Sequence, residues 1–231
     1  MKVNNIDISI FKAKLMERNI KSANFEVKNY WGNASLLPFI NSNYKHQYKE
    51  LTFTLDIVCL NACELETMKS NIIKQLEVST INFDDIAYSY IGFCSEIPTT
   101  SYVMPGNEIL SVKMLVYCCG TEKIETANRV ASKTINVSGN IETPTIVEIT
   151  PSIALVDLVV TGIGETFTIK NLTVGQKVII SGEDGTVLQN GVNKFGDYDS
   201  WDFPQLKPGA NTITFSKNSC DVNIKYKPRY I

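Results

Sequence analysis

Histidine is almost missing from this sequence: His46 is the single one among 231 residues. Chemistry that depends on imidazole therefore has one side chain to draw on. No Gly-x-Ser-x-Gly turn and no catalytic cysteine signature offers it a nucleophile. Long apolar runs are also lacking, and no window approaches the roughly eighteen residues of a membrane span. The opening MKVNNIDISIFKAKL does not read as a secretory leader, because Asn4, Asn5 and Asp7 interrupt any apolar stretch. Neither sign of charge is in excess: 22 Lys and Arg against 24 Asp and Glu leave a net charge of -2. Without a broad basic footprint, binding to nucleic acid through phosphate contacts is not expected. These absences point to a protein made in the cytosol, with no membrane insertion and no sequence-specific nucleic acid partner.

What is present is ordinary globular material, 44% hydrophobic and 20% charged. A chain of this length buries about 70% of its unfolded surface, so no metal or disulfide is required for stability. The six cysteines (Cys59, Cys63, Cys94, Cys118, Cys119 and Cys220) are scattered through apolar or alternating segments, as small buried thiols in a reducing compartment are.

Strand patterns dominate. Leu51–Ile57 alternates apolar and polar residues, as a half-buried strand requires. Phe25–Val27, Ala87–Phe93 and the more continuous Ile109–Cys118 predict further strands, with short extended pieces near Val3–Ile10 and Ile81–Phe83. One helix stands out over about residues 62–78. Leu65, Met68, Ile72 and Leu76 share a face, while Glu66, Lys69, Lys74 and Glu77 mostly fill the other. Asn61 is placed to cap it, with Glu64 three residues on as in a capping box. The apolar stripe is expected to pack on the N-terminal sheet.

Composition shifts after Cys119. Residues 120–145 are rich in Thr, Asn, Ser and Glu, which suits a linker or an exposed edge. Pro144 and Pro151 then bracket a strand at Thr145–Ile149. Leu155–Val160, Thr166–Lys170, Lys177–Ser181, Thr186–Gln189, Asn211–Phe215 and Val222–Tyr226 follow as further strands. Asp184-Gly185 and Asn190-Gly191 are pairs favoured where two central residues need positive φ, and Pro208-Gly209 is another turn pair. The expected organisation is a β domain with one helix over 1–126, a linker or crossover over 127–144, and an antiparallel β-sandwich over 145–231.

The search for chemistry returns no catalytic, metal or cofactor site. His46 lies in the polar stretch Asn41–Gln47 and is expected to be a solvated loop residue. Cys59 and Cys63 are spaced like a ligand pair, but one ends a strand and the other begins a helix, which suits packing at a junction better than zinc. Glu183-Asp184-Gly185, with Asp197 and Asp199 nearby, lacks the ordered ligand spacing of a calcium loop. Gly162-Ile163-Gly164 leads into a β pattern and reads as a turn. Two carboxylates would suffice for glycoside hydrolysis, yet no acidic residue is marked by its context.

Several C-terminal phrases resemble phage tail proteins of the distal tail (baseplate hub) family, siphophage type. They are Gly182–Val187, Gln189–Asn193, Trp201-Asp202-Phe203-Pro204, the run Leu206–Phe215 and the closing Cys220–Tyr230, with the Gly139–Ile149 crossover before them. In Leu-x-Pro-Gly-x-Asn-x-Ile the physical sense is plain: Pro208-Gly209 turns the chain, Asn211 continues the turn, and Ile213 and Phe215 face a core. Before residue 139 the likeness is looser and rests on the order of strands with one helix.

The resemblance implies a mainly β fold: an α+β N-terminal domain with one helix on β-sheets, and a C-terminal antiparallel galectin-like β-sandwich. It implies a non-enzymatic virion component, assembled in the host bacterial cytoplasm and resident in the virion tail. That component would be a homo-oligomer, a hexameric ring that meets the tail tube protein on one side and a tail-associated hub protein on the other. Receptor-binding proteins lie beyond, and DNA passes without specific recognition. The alternative is a carbohydrate-binding adhesion module at a phage or bacteriocin tail tip. Trp201, beside Phe203 and Pro204, is expected in the core or at a domain contact, with a sugar or partner contact as the other reading. The galectin pattern of His and Arg beside its tryptophan-bearing strand is not matched, since no histidine follows His46.

Overall fold

The computed structural model describes residues 1–26, 33, 36–37 and 45–231. It divides into two compact units: Met1–Cys119 with Ile231, and Gly120–Tyr230.

In the first unit the strands are β1 (Lys2–Val3), β2 (Ile6–Asp7), β3 (Ala13–Ile20), β4 (Phe25–Glu26), β5 (Lys45–His46), β6 (Lys49–Val58), β7 (Val78–Asn82), β8 (Ser89–Cys94), β9 (Thr99–Met104) and β10 (Asn107–Cys119). The main sheet runs β2-β1-β7-β8-β10-β6-β3, and β9 also pairs with β10. The pairing of β6 with β10 spans Val58↔Asn107 to Lys49↔Val116 and sets the frame. Along β6, Leu51, Phe53, Leu55 and Ile57 are buried and their neighbours are not. That period of two is the one expected from the sequence, extended by two residues before it and one after it.

The helix α1 (Ala62–Leu76) covers this apolar face with Leu65, Ile72 and Leu76. Asn61 caps it as expected, its side chain accepting from the Glu64 N–H, and Glu64 reaches back to the Leu60 N–H. The sequence placed its end at Val78, but Glu77 closes the helix and Val78 opens β7. Lys69, assigned to the polar face, is buried. It sits one turn beyond Leu65 and pairs with Glu108 of β10 at 2.6 Å and with Glu66 at 2.6 Å.

Three strands of this unit escaped the sequence reading: β3, β9 and β5, whose His46 was expected in a loop. The segment AKLMERNI of β3 is made of helix formers, and its pairing with β6 overrides that propensity. In β9 every residue is exposed, so no alternation could mark it. Near the N-terminus the extended segment is broken: β1 and β2 are followed by a 3-10 turn at Ile8–Phe11, capped by the Asp7 side chain.

The second unit comprises β11 (Lys123–Asn128), β12 (Ser132–Val137), β13 (Thr143–Pro151), β14 (Leu155–Thr161), β15 (Phe167–Leu172), β16 (Val178–Ser181), β17 (Thr186–Gln189), β18 (Val192–Asn193), β19 (Tyr198–Asp199), β20 (Gln205–Leu206), β21 (Gly209–Phe215), β22 (Cys220–Tyr226) and β23 (Arg229–Tyr230). A seven-stranded sheet runs β11-β22-β13-β16-β17-β18 with β20 on β13, and a five-stranded sheet runs β12-β21-β14-β15-β19. All named pairings within them are antiparallel. Inward residues from both sheets, among them Val147, Ile149, Val160, Phe167, Ile213 and Ile224, make one core. Each such side chain contributes about 1.5–3 kcal/mol of burial.

The expected linker 127–144 is a correction. The division falls after Cys119, and the stretch holds β12 and the start of β13, while β11 ends at Asn128. Each of β11 and β12 is the outer strand of its sheet. An outer strand needs to bury few side chains (Ala127 in β11, Ile135 and Val137 in β12), so its composition resembles a linker.

All three turn pairs sit at turns, and Asp184-Gly185 lies in the hairpin that joins β16 to β17. Asn190 and Gly191 both have positive φ, 50° and 79°, and join Gln189 to Val192 as a two-residue hairpin. Gly209 takes φ 87° after Pro208, and the Asn211 side chain closes that turn by accepting from the Lys207 N–H and donating to the carbonyls of Lys207 and Gly209. At Asp184-Gly185 only Gly185 has positive φ, because the loop from Ser181 to Thr186 holds four residues and needs a single left-handed step.

Candidate interaction surface

The residues singled out for chemistry are dispersed. His46 pairs across β4–β5 with Phe25 and is half-buried, so the loop reading is corrected; Asn41–Tyr44 and Val27 lie outside the described residues. All six cysteines are thiols. Cys63 is exposed on the first turn of α1, and burial pushes the Cys59 thiol up. Cys220 is deep in the sandwich, and burial raises it to about 11, which keeps it protonated and inert at neutral pH.

Asp184, Asp197 and Asp199, expected as solvated carboxylates, each have a protein partner. Asp197 accepts from Lys194 at 2.7 Å and from Asn171 at 2.8 Å, which hold its carboxyl below the usual range. Asp199 pairs with Lys170 at 3.0 Å, and Asp184 with Ser181 at 3.3 Å. Among the described residues no group of three or more His, Cys, Asp or Glu is arranged around a metal position. Gly162 and Gly164 form the left-handed bend between β14 and β15, with Ile163 buried between them.

Trp201 lies where the sequence did not expect it. It is 94% exposed, in the loop between β19 and β20, so the core reading is overturned. Its neighbours took the core position instead. Phe203 stacks on Tyr198 with ring centroids 5.6 Å apart, Phe195 stacks on Phe203 at 6.2 Å, and Tyr198 meets Phe167 at 5.4 Å. The Tyr198 hydroxyl donates to the Asp202 carbonyl at 2.6 Å, and burial raises its pKa to about 12, so it stays a neutral donor. Ser200 adds two bonds to the same residue: its hydroxyl donates to the Asp202 carbonyl, and the Asp202 N–H donates to it. The aromatic stack anchors the loop from below, these bonds fix its backbone, and Trp201 is presented to solvent. An exposed indole on a hydrogen-bonded loop is a side-chain type enriched at binding hot spots. Nothing in the local sequence separates Trp201 from Phe203, since both sit in one aromatic phrase.

The first unit presents a different surface. Beyond Glu96, Ile97 is 90% exposed, and β9 follows with Tyr102, Val103 and Met104 outward. An open trough of about 280 Å³ runs beside it, lined by Glu17, Asn19, Thr52, Thr54, Ser111 and Lys113 among others. Its walls mix polar and charged groups with the apolar Phe53, Ile97 and Val112.

Comparison with known proteins gives a family match over part of the chain and a fold match over nearly all of it. Residues 138–230 match the model of the siphovirus-type tail component, C-terminal domain. The match falls within the second unit and covers most of it. Over the whole chain the fold is shared with the Dit protein of phage SPP1, described as a paradigm of hub adsorption apparatus in phages infecting Gram-positive hosts. The TM-score is 0.75 at 13% identity, covering 99% of this chain and 98% of that one. The phage P2 baseplate in its activated conformation with Ca gives a TM-score of 0.57 at 11% identity over 96% of this chain and 92% of that one. The same baseplate with Sr gives 0.56 at 11% identity, over 97% and 94%. No curated protein sequence matches the chain. The distal tail resemblance carried by residues 139–231 and the mainly β fold both stand.

Proposed function

We propose that this chain is a distal tail, or baseplate hub, protein whose copies close into a hexameric ring. The ring joins the tail tube to the tip apparatus and lets DNA pass. In this reading the first unit forms the ring, the second unit is carried on it, and the partners are the tail tube protein and a tail-associated hub protein. Its place is the virion tail, after assembly in the host cytoplasm. The role is structural and non-enzymatic.

The observation that carries the reading is coverage: one fold match to a hub protein accounts for both units nearly end to end, and residues 138–230 match the tail-component model. A net charge of -2 agrees with a passage that does not grip DNA. Light scattering across a concentration series, with negative-stain imaging, tests it. Closed rings of about six copies are expected, the contacts of such rings being heterologous. A chain that stays monomeric at every concentration, alone and with a tail tube protein added, refutes it.

One observation favours a second reading. The exposure and fixed presentation of Trp201 suit an aromatic platform for a pyranose ring, as in an adhesion module. Glycan binding by the monomer that is lost in Trp201→Ala would establish that reading.

A further inference from the structure

Trp201 is surrounded by charge of one sign. Three loops of the second unit meet around its neighbours Phe203 and Pro204. A Cβ added at Gly182 would fall 2.1 Å from the Pro204 carbonyl oxygen, and one at Gly185 would fall 3.5 Å from the Phe203 ring. The turn between β16 and β17 therefore lies against the Trp201 loop. A Cβ at Gly164 would fall 3.1 Å from the Gln205 side chain and 3.6 Å from the Phe203 carbonyl oxygen, which brings the β14–β15 turn to the same place. The first of these turns bears Glu183 and Asp184, the second bears Glu165, and the loop itself bears Asp202, all four exposed. Residues 162–166, 182–185 and 200–205 hold no Lys, Arg or His, and the next exposed base along the chain, Lys207, comes after β20. Asp197 and Asp199 are paired with Lys194 and Lys170, whereas among the described residues none of these four carboxylates is in an ion pair.

These charges select what the indole can hold. A cation over the face of an aromatic ring is attracted by the ring quadrupole, most strongly for tryptophan. Carboxylates around the ring raise the local concentration of cations. A neutral pyranose would strip water from those carboxylates without compensating their charge, which costs free energy. An anion is repelled. A small free cation would meet one ring and no aromatic cage, so useful affinity requires the larger contact of a protein surface. Arginine suits the position better than lysine, because its planar guanidinium stacks on a ring and forks to a carboxylate. The first unit already contains this pairing. Arg18 lies 4.6 Å over the Phe83 ring centroid while two of its nitrogens donate to the Asp85 carboxylate.

We infer that the Trp201 end of the second unit is a docking surface for a basic protein partner, which lays an arginine on the indole and pairs it with the surrounding carboxylates. Three observations carry this together: the exposure of Trp201, the hydrogen bonds from Tyr198 and Ser200 that hold its loop, and the uncompensated charge of Glu165, Glu183, Asp184 and Asp202. Tryptophan and arginine are both enriched at binding hot spots, and hot spots tend to pair across an interface. Complementary charge speeds the encounter and rejects partners of the wrong sign. The surface lies within one unit, so its use does not depend on ring closure. It makes a cation, in place of a sugar, the occupant of Trp201.

The test uses the full chain and a labelled hexa-arginine peptide as the probe, with hexa-lysine and hexa-glutamate for comparison. Hexa-arginine is expected to shift the Trp201 indole N–H signal in an NMR titration, the signal being assigned by its loss in Trp201→Phe. This shift is read on the wild-type chain, whatever the stability of any variant. Affinity for the peptide is expected to fall about tenfold in Trp201→Ala, the scale of a desolvated cation–π contact. It should fall again when Glu183→Gln, Asp184→Asn and Asp202→Asn are combined. Hexa-lysine is expected to bind more weakly than hexa-arginine, and hexa-glutamate not to bind. Equal affinity in wild type and Trp201→Ala would mean bare charge attraction and overturns the docking assignment. An indole signal that moves with glucose, galactose or N-acetylglucosamine and stays put with hexa-arginine overturns it in favour of the saccharide reading. An indole that responds to none of these probes overturns it outright, and each of these results leaves the ring reading intact.

Discussion

The two units bury antiparallel sheets in different ways. In Gly120–Tyr230 two sheets face each other, and residues such as Phe167, Ile169, Ile213 and Ile224 meet in a common core. In Met1–Cys119 one long sheet is covered on one face by a single helix, and its lateral strand β9 is left exposed along its whole length. A sandwich supplies its own second layer, so its outer strands β11 and β12 can be polar and still be held. A sheet with one helical cover leaves more of its strands exposed, as β9 is. The second unit thus covers its own sheets, while the first leaves a lateral strand in solvent.

Substitutions that act on one side of this comparison sharpen it. The largest effect is expected from Phe167→Ala, which empties the sandwich core and should cost about 3–5 kcal/mol in a urea titration. A smaller loss would mean that the core of the second unit collapses to fill the space. Next is Asn211→Ala, which removes the three hydrogen bonds that close the Pro208-Gly209 turn. A destabilisation of about 1–3 kcal/mol is expected from the buried groups left unmatched. In the first unit Asn61→Ala removes the cap of α1 and should cost about 1 kcal/mol, read as a lowered urea midpoint with an unchanged slope.

Acid should separate the units as well. Burial alone would raise the Glu148 carboxyl, but Lys225 at 2.6 Å and Lys177 at 3.0 Å override it and hold the group below its ordinary 4.5. A depressed folded-state pKa gives stability that is fully present above 4.5 and is lost as pH falls through the lower folded value. Glu148→Gln should therefore lower stability at neutral pH, and the difference from wild type should vanish in strong acid. A difference that stays constant with pH would sink the ion-pair account. The smallest effect is expected from Trp201→Ala, within about 0.5 kcal/mol by thermal melting, because a residue so exposed contributes little to the fold. A larger loss would show that Trp201 packs after all and would remove it from the contact surface.

Much of the second unit was legible in the sequence because local signals and tertiary environment agree there. Strands such as Val222–Tyr226 alternate cleanly, Asn190-Gly191 states its turn by itself, and Leu-x-Pro-Gly-x-Asn names a turn whose asparagine closes it. Legibility failed where the pattern depends on what lies opposite. β3 reads as helix-forming until β6 pairs with it. Lys69 reads as solvated until Glu108 appears across the fold. The contact surface was the least legible part. In the phrase Trp201-Asp202-Phe203 either aromatic could have been the buried one, and only the stack of Tyr198, Phe195 and Phe203 decided that Trp201 points outward.

By itself, then, the sequence determined the fold class, the helix with its cap, the spacing of the C-terminal strands and the tail-protein resemblance. Each of these is written in the period or the turn chemistry of neighbouring residues. Only the tertiary structure decided where the units divide, that 127–144 contributes strands, that Trp201 is exposed and that β9 is an exposed strand beside β10. Exposure and edge position depend on which strands become neighbours across long separations, and the alternation of a single segment does not record them.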